Sequence, residues 1–127
     1  MIHLLVDMGV VRADLAVAPE AAGEQFARRV LRLYRHLGAE TLDVCLDSGR
    51  SWRRDIEPSY KANRPELTPE ERENHHRQRC DAMEWFESGG HTIHQADTYE
   101  ADDCLATLAW QIVSGESQES KVVIYSH

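Results

Sequence analysis

The stretch from His91 to Val113 reads HTIHQADTYEADDCLATLAWQIV, and its hydrophobic period changes partway along. From about His91 to Gln95 it has the length and pattern of a short strand. After the TYEADD turn, Ala101, Cys104, Leu105, Leu108, Ala109 and Ile112 fall on one face of a helix. Lys121 to Tyr125, sequence KVVIY, then reads as another strand. Strand, helix and strand in this order predict a parallel crossover unit.

The same alternation extends toward the N-terminus. His3 to Val6 is an apolar run ending at Asp7, and Thr41 to Leu46 is a second run ending at Asp47. Between them, after a loop, Pro19 is suited to open a helix, whose apolar set Phe26, Val30, Leu31, Leu33, Tyr34 and Leu37 keeps helical spacing until Gly38. Thr68-Pro69-Glu70-Glu71 is a capping box, so a helix with a strongly polar outer face should run from there to Gly89-Gly90. The expectation is a three-layer α/β/α domain with a mainly parallel sheet, covered by helices on both faces. Neither an internal repeat nor a second domain is visible in the 127 residues.

In such sheets ligands bind beyond the carboxyl ends of the strands. Asp7, Asp47 and the trio Glu100, Asp102 and Asp103 all follow strands, so the topology gathers these five carboxylates at one edge. Each acid alone has an ordinary explanation, because a carboxylate in a helix's first turn stabilises the macrodipole by about 0.3–1 kcal/mol. Together they repel unless a cation or proton neutralises them. Hard oxygen donors without histidine or cysteine favour Mg²⁺ or Mn²⁺ over zinc. The histidines are scattered or sit together as His75-His76 on the polar helix, without metal-ligand spacing.

Directly after Asp47 comes SGRSWRRDIEPSYKANRP, where Arg50, Arg53, Arg54, Lys61 and Arg64 face only Asp55 and Glu57, a local charge of +3. The chain as a whole carries -8, which leaves -11 for the remainder. Cations beside a carboxylate edge are the arrangement that phosphodiester chemistry requires, with Lys and Arg stabilising charge that develops on phosphate. Trp52 and Tyr60 are suited to stack on unpaired bases. The competing reading is a solvated surface loop with its two aromatics against the core.

Composition bounds the rest. With 42% hydrophobic and 28% charged residues the chain is expected to fold. The acidic balance argues against indiscriminate coating of nucleic acid while permitting a local basic patch. Cys45, Cys80 and Cys104 are widely spaced without a CxxC pair, and we read all three as small core residues. No apolar run has membrane-spanning length and MIHLLVD lacks the features of a leader, so a cytoplasmic protein without membrane contact is expected. Neither GxxxxGK nor GxGxxG occurs, which sets a nucleotide-binding enzyme aside.

These residues carry a family resemblance. SWRRDIEPSYKANRP resembles the segment that follows the second active-site aspartate in bacterial and phage 5'-3' exonucleases and flap endonucleases, including its YKANR core. YEADD with the helix after it resembles that family's main acidic motif, and VVIYS resembles the strand before its next aspartates. The resemblance implies the PIN-like 5'-nuclease fold, with residues 1–127 as its N-terminal portion and an arch-like basic and helical segment over about residues 50–89. It implies metal binding by Asp7, Asp47, Glu100, Asp102 and Asp103, with two divalent ions, Mg²⁺ or Mn²⁺, in the complete family site. It further implies contact of Lys61 with the scissile phosphate, and a nucleic-acid path along Arg50, Arg53, Arg54, Tyr60 and Arg64. The implied substrate is DNA with a single-stranded 5' end or flap, in replication and repair. Two departures stand out: Met8 lies where the family has glycine after its first aspartate, and Arg12 is offset from the family's first-helix basic residue.

The resemblance stops at His127, ahead of the later aspartates and the helix-hairpin-helix element of the family. Three functions are therefore in view. One is a truncated or split 5' nuclease completed by a downstream fragment. Another is a minimal metal-dependent ribonuclease, and the third a non-catalytic nucleic-acid-binding or interaction remnant.

Overall fold

The computed structural model describes residues 1–48, 53–57, 67–115 and 120–126. β1 (Ile2–Asp7), β2 (Thr41–Cys45), β3 (Thr92–His94) and β4 (Lys121–Tyr125) form one sheet in the order β3-β2-β1-β4. Every pairing is parallel, with His3 opposite Thr41 and Val122, and Asp43 opposite Thr92. Parallel neighbours require crossover connections. α2 (Ala22–Leu37), α4 (Pro69–Ser88) and α5 (Ala101–Gly115) provide them, while α1 (Val11–Val17) and the single turn α3 (Arg53–Ile56) lie in the connections.

Strand alternation separates two cores. Leu4, Val6, Leu42 and Val44 face a cluster that includes Val11, Leu15, Phe26, Val30, Ala82 and Phe86 from α1, α2 and α4. Leu5 and Cys45 face the opposite way, against Ala101 and Leu105 of α5, with Leu108, Ala109 and Ile112 packed around them. Burial on both faces explains the uninterrupted apolar run Leu4-Leu5-Val6 in β1. The sheet thus lies between two helical layers, as expected.

α2 ends as expected. Gly38 adopts φ 63, a left-handed conformation suited to glycine, and the last-turn carbonyls accept from Gly38 N and Ala39 N. The start differs from expectation, since α2 begins at Ala22 and not at Pro19. The reason is packing against α4. Asn74 Nδ2 donates to the Pro19 carbonyl at 2.9 Å, and Gln78 Nε2 donates to the Glu20 carbonyl at 3.2 Å, which fixes this segment as a turn. Gln78 Oε1 in turn accepts from Gly23 N at 3.0 Å. The helices approach so closely that a Cβ on Gly23 would lie 2.1 Å from the Gln78 carbonyl oxygen. Beyond that contact Phe26 and Phe86 meet edge-on with centroids 6.0 Å apart.

α1 and α3 were both expected as loop. α1 forms because Val11 and Leu15, one turn apart, both reach the core, and because Asp14 is gripped by Arg29 through two 2.8 Å hydrogen bonds. Arg29 Nε also donates to the Tyr125 hydroxyl at 2.7 Å, which links α1, α2 and the end of β4. The hydrogen bonds to Asp14 push the Arg29 guanidinium above its ordinary pKa. The capping box of α4 is present, with Thr68 Oγ1 accepting from Glu71 N and Glu71 Oε1 accepting from Thr68 N, both at 3.1 Å. These bonds hold the Glu71 carboxyl below its usual range.

The cysteines are not all core residues. Cys45 is buried, and burial pushes its thiol up to about 12. Cys104 is half-buried beside the α5 core, whereas Cys80 sits half-exposed on α4 with its sulfur 3.6 Å from His76 Nε2. No helix among the described residues is long and apolar enough to cross a membrane.

The α2–α4 contact gives a direct test. Gly23→Ala should lower stability by about 1–3 kcal/mol or more, because the added methyl meets backbone that cannot rotate away. Urea denaturation of the variant measures this.

Candidate active site at the carboxyl edge of the sheet

A parallel sheet presents all its strand ends on one side. β1 connects to β2 on one flank and β4 pairs on the other, so the strand order reverses beside β1, and such a reversal opens a crevice beyond the carboxyl ends. Asp7 is the last residue of β1. Asp47 follows β2, and Glu100, Asp102 and Asp103 open α5 after β3.

Hydrogen bonds fix each of these segments locally. Asp7 Oδ1 accepts from Gly9 N at 2.8 Å and caps the 3-10 turn Met8–Val10. Asp47 Oδ1 accepts from Ala101 N at 2.6 Å, so an acid from the β2 loop satisfies a donor at the start of α5. Around it Leu46 N donates to the His94 carbonyl, Ser48 N to the Tyr99 carbonyl, and Gln95 Nε2 to the Asp47 carbonyl. The loops after β2 and β3 are therefore held together as one unit. Thr98, the first residue of TYEADD, has φ 66. For a β-branched residue this conformation is strained, and the Tyr99 N bond to the Ala96 carbonyl at 3.1 Å helps hold it.

Glu100 is buried at 7% exposure, with Asp103 Oδ2 accepting from its backbone N at 2.9 Å. Arg53 on α3 then reaches across. Its guanidinium donates to both Asp103 oxygens at 3.1 and 3.0 Å, and NH1 lies 3.5 Å from Glu100 Oε1. Asp102, one residue earlier, is exposed. The negative field of the edge is felt nearby: the Cys104 thiol is pushed up first by burial, then by Asp103 and, more weakly, by Asp47.

The expected convergence of all five acids takes a looser form. They share the edge, but among the described residues no group of three or more His, Cys, Asp or Glu lies close enough to hold a metal ion. The hydrogen bonds above give the reason, since Asp7 and Asp47 are aimed at backbone donors and Arg53 sits on Asp103. Glu100 and Asp103 nevertheless converge on one cationic group, the Arg53 guanidinium. Of the basic residues expected to meet nucleic acid, Arg53 is thus engaged with the acids. Arg50, Trp52, Tyr60, Lys61 and Arg64 lie outside the described residues, as does the side chain of Arg54.

Two cavities flank this edge. One of about 700 Å³ runs along β3 and α5, with Ile93, Tyr99, Asp103 and Leu108 among its walls. The other, about 280 Å³, lies between α1, the β2 loop and α4, and is bordered by Arg12, Asp47, Arg72, His75 and Arg79. This basic set was missed in the sequence, although the spacing of Arg72, His75 and Arg79 along one helical face was a legible signal.

Residues 14–127 match the family described as 5'-3' exonuclease, N-terminal resolvase-like domain. No curated protein matches the sequence. Among solved structures, the T5 5'-exonuclease with bound divalent metal ions (zinc) is similar with a TM-score of 0.71 and 19% identity, over 96% of this chain and 48% of that one. A bacteriophage T5 flap endonuclease in a pseudo-enzyme-product complex with DNA and metal ions gives a TM-score of 0.69 at 18% identity, over 96% and 48% of the two chains. A T5 protein co-crystallised with metal ions gives 0.69 at 19% identity, over 99% and 48%. The chain therefore spans about half the length of each of these relatives.

Asp47 offers a test that separates architecture from chemistry. Asp47→Ala removes an acceptor from the first turn of α5 and should lower stability by about 0.5–2 kcal/mol, the usual range for losing a helix cap. Thermal denaturation reads the effect, and an unchanged midpoint would show that the Ala101 bond contributes nothing.

Proposed function

The chain belongs to the 5'-3' exonuclease family, as its N-terminal resolvase-like domain, and on that premise we propose that it takes part in divalent-metal-dependent hydrolysis of phosphodiester bonds in DNA. The substrate is a single-stranded 5' end or a flap at a single-strand/duplex junction. The observation that carries this reading is the pairing of Glu100 and Asp103 about one cation at the carboxyl edge, with Asp7, Asp47 and Asp102 on the same edge. Glu100 and Asp103 would hold the ion, which supplies Lewis-acid polarisation of a phosphoryl oxygen and lowers the pKa of an attacking water.

The chain's own residues do the remainder. Lys61, beside Tyr60 in YKANR, stabilises the charge that builds on the scissile phosphate. Arg50, Arg54 and Arg64 line the path of the strand, and Arg53 exchanges between the acids and the substrate backbone. On this reading the basic and helical segment about 50–89 would act as the arch that admits the strand, and of it the structure describes α3 and α4. A downstream fragment completing the domain would bring the remaining carboxylates to the site, and β4, an outer strand of the sheet with Ile124 exposed on it, offers it an edge. A second reading, a nucleic-acid-binding form without turnover, is favoured by one observation: among the described residues no three acids are yet grouped around an ion position.

The test is incubation of the purified chain with a labelled 5'-flap DNA and with single-stranded RNA, in Mg²⁺ and in chelator. Cleavage of the flap should require Mg²⁺, and Asp102→Asn and Lys61→Ala should each reduce it by about 100-fold or more. Addition of the downstream part of a family member should raise it. Cleavage that survives chelator and both substitutions would contradict the reading, and salt-sensitive binding without cleavage in any mixture would select the second one.

A further inference from the structure

The cavity beside Asp47 has a charge that the rest of the molecule does not explain. Arg12 comes from α1, and Arg72, His75 and Arg79 occupy successive turns of one face of α4. Among the described residues no hydrogen bond or ion pair holds the guanidinium of Arg12, Arg72 or Arg79, whereas Arg28, Arg29, Arg53 and Arg77 each have a carboxylate partner. In a chain of net charge -8, with 22 acidic residues available, three unpaired arginines around one cavity form a local excess of positive charge. All three are exposed and screened by water in the free protein, and together they attract an anion to the cavity.

The cavity's lining identifies the anion's chemistry. Met8, Val11, Leu15 and Leu46 are buried and form an apolar floor, while the cations make the rim. Guanidinium forks match the oxygens of phosphate in pairs, and an apolar floor suits the sugar and base attached to it. At about 280 Å³ the cavity takes one nucleotide end and not a stretch of strand. A terminal phosphomonoester carries about -1.5 to -2 at neutral pH, more than the single charge of an internal diester, and so gains more from three arginines. The cavity also shares Asp47 with the acidic edge, which places a bound end next to the proposed reaction centre.

We infer that Arg12, Arg72, His75 and Arg79 form a receptor for the 5'-terminal phosphate of a single strand, held beside the acidic edge. The inference rests on the proposed function for the choice of the 5' end. It assigns to this chain a preference for phosphorylated over hydroxyl 5' ends, set by α1 and the first half of α4.

The experiment is fluorescence anisotropy in chelator, where no cleavage occurs, with single-stranded oligonucleotides labelled internally and bearing a 5'-phosphate, a 5'-hydroxyl or a 3'-phosphate. The wild-type chain should bind the 5'-phosphate form about tenfold more tightly than the other two, equivalent to about 1.4 kcal/mol. Arg72→Ala/Arg79→Ala should abolish that preference while leaving affinity for the 5'-hydroxyl form nearly unchanged. Arg77→Ala, an exposed arginine of the same helix paired with Glu73 and outside the cavity, should leave the preference intact. Equal affinity of the wild type for all three ends would overturn the receptor, as would a loss of preference in Arg77→Ala matching the double variant. A wild type that cleaves the flap in Mg²⁺ yet ignores the 5'-phosphate removes this inference alone, and one that neither binds nor cleaves any strand removes the proposed function with it.

Discussion

Like charges brought together by a parallel sheet are the constraint around which this molecule is arranged. Parallel pairing sends the ends of β1, β2 and β3 to one side, and the sequence puts an acid at or soon after each. Left facing one another without a partner, these carboxylates would repel and weaken the edge. The fold instead gives several of them a partner. Gly9 N serves Asp7, Ala101 N serves Asp47, and the Arg53 fork serves Asp103 while reaching Glu100. These bonds also tie the β2 loop to the start of α5, so local architecture and chemistry use the same atoms.

The placement of Arg53 has a consequence for function. A guanidinium that closes on Asp103 and approaches Glu100 is a cation the chain carries itself, and it stabilises the acids when no ion is bound. Loading a divalent ion would then require Arg53 to let go, which frees it for phosphate. On the proposed function one positive charge would then replace another at this edge. On the other side of Asp47, the unpaired arginines of the small cavity add a second positive region that is already open to an anion. Acid and base segregate to either side of the β2 loop, and this separation is what a strand with both a terminal phosphate and a scissile phosphate would meet.

Much of this was legible in the sequence. Strand β4 was bounded by its apolar run, α4 by its capping box and paired glycines, and α5 by the change of period after TYEADD. These features are local, and local rules read them. What was not legible depended on contacts between distant segments. Pro19 looked like a helix start until Asn74 and Gln78 of α4 bound its neighbourhood as a turn. α1 is too short and too rich in valine to stand out, and it exists because Arg29 grips Asp14 and Tyr125. At the site, the edge location of the acids followed from topology, but their partners did not. No spacing rule tells that Arg53 closes on Asp103, or that Cys80 faces outward while Cys45 is sealed in.

The central claim is that Glu100 and Asp103 form a position for a divalent cation that Arg53 fills in its absence. Titration of Mn²⁺ into the intact chain, followed by electron paramagnetic resonance, tests it without reference to turnover. Mn²⁺ should bind to the wild type, more tightly to Arg53→Ala, and not measurably to a Glu100→Gln/Asp103→Asn variant that retains its fold. Equal Mn²⁺ binding by wild type and the double carboxylate variant, or weaker binding when Arg53 is removed, would contradict the account.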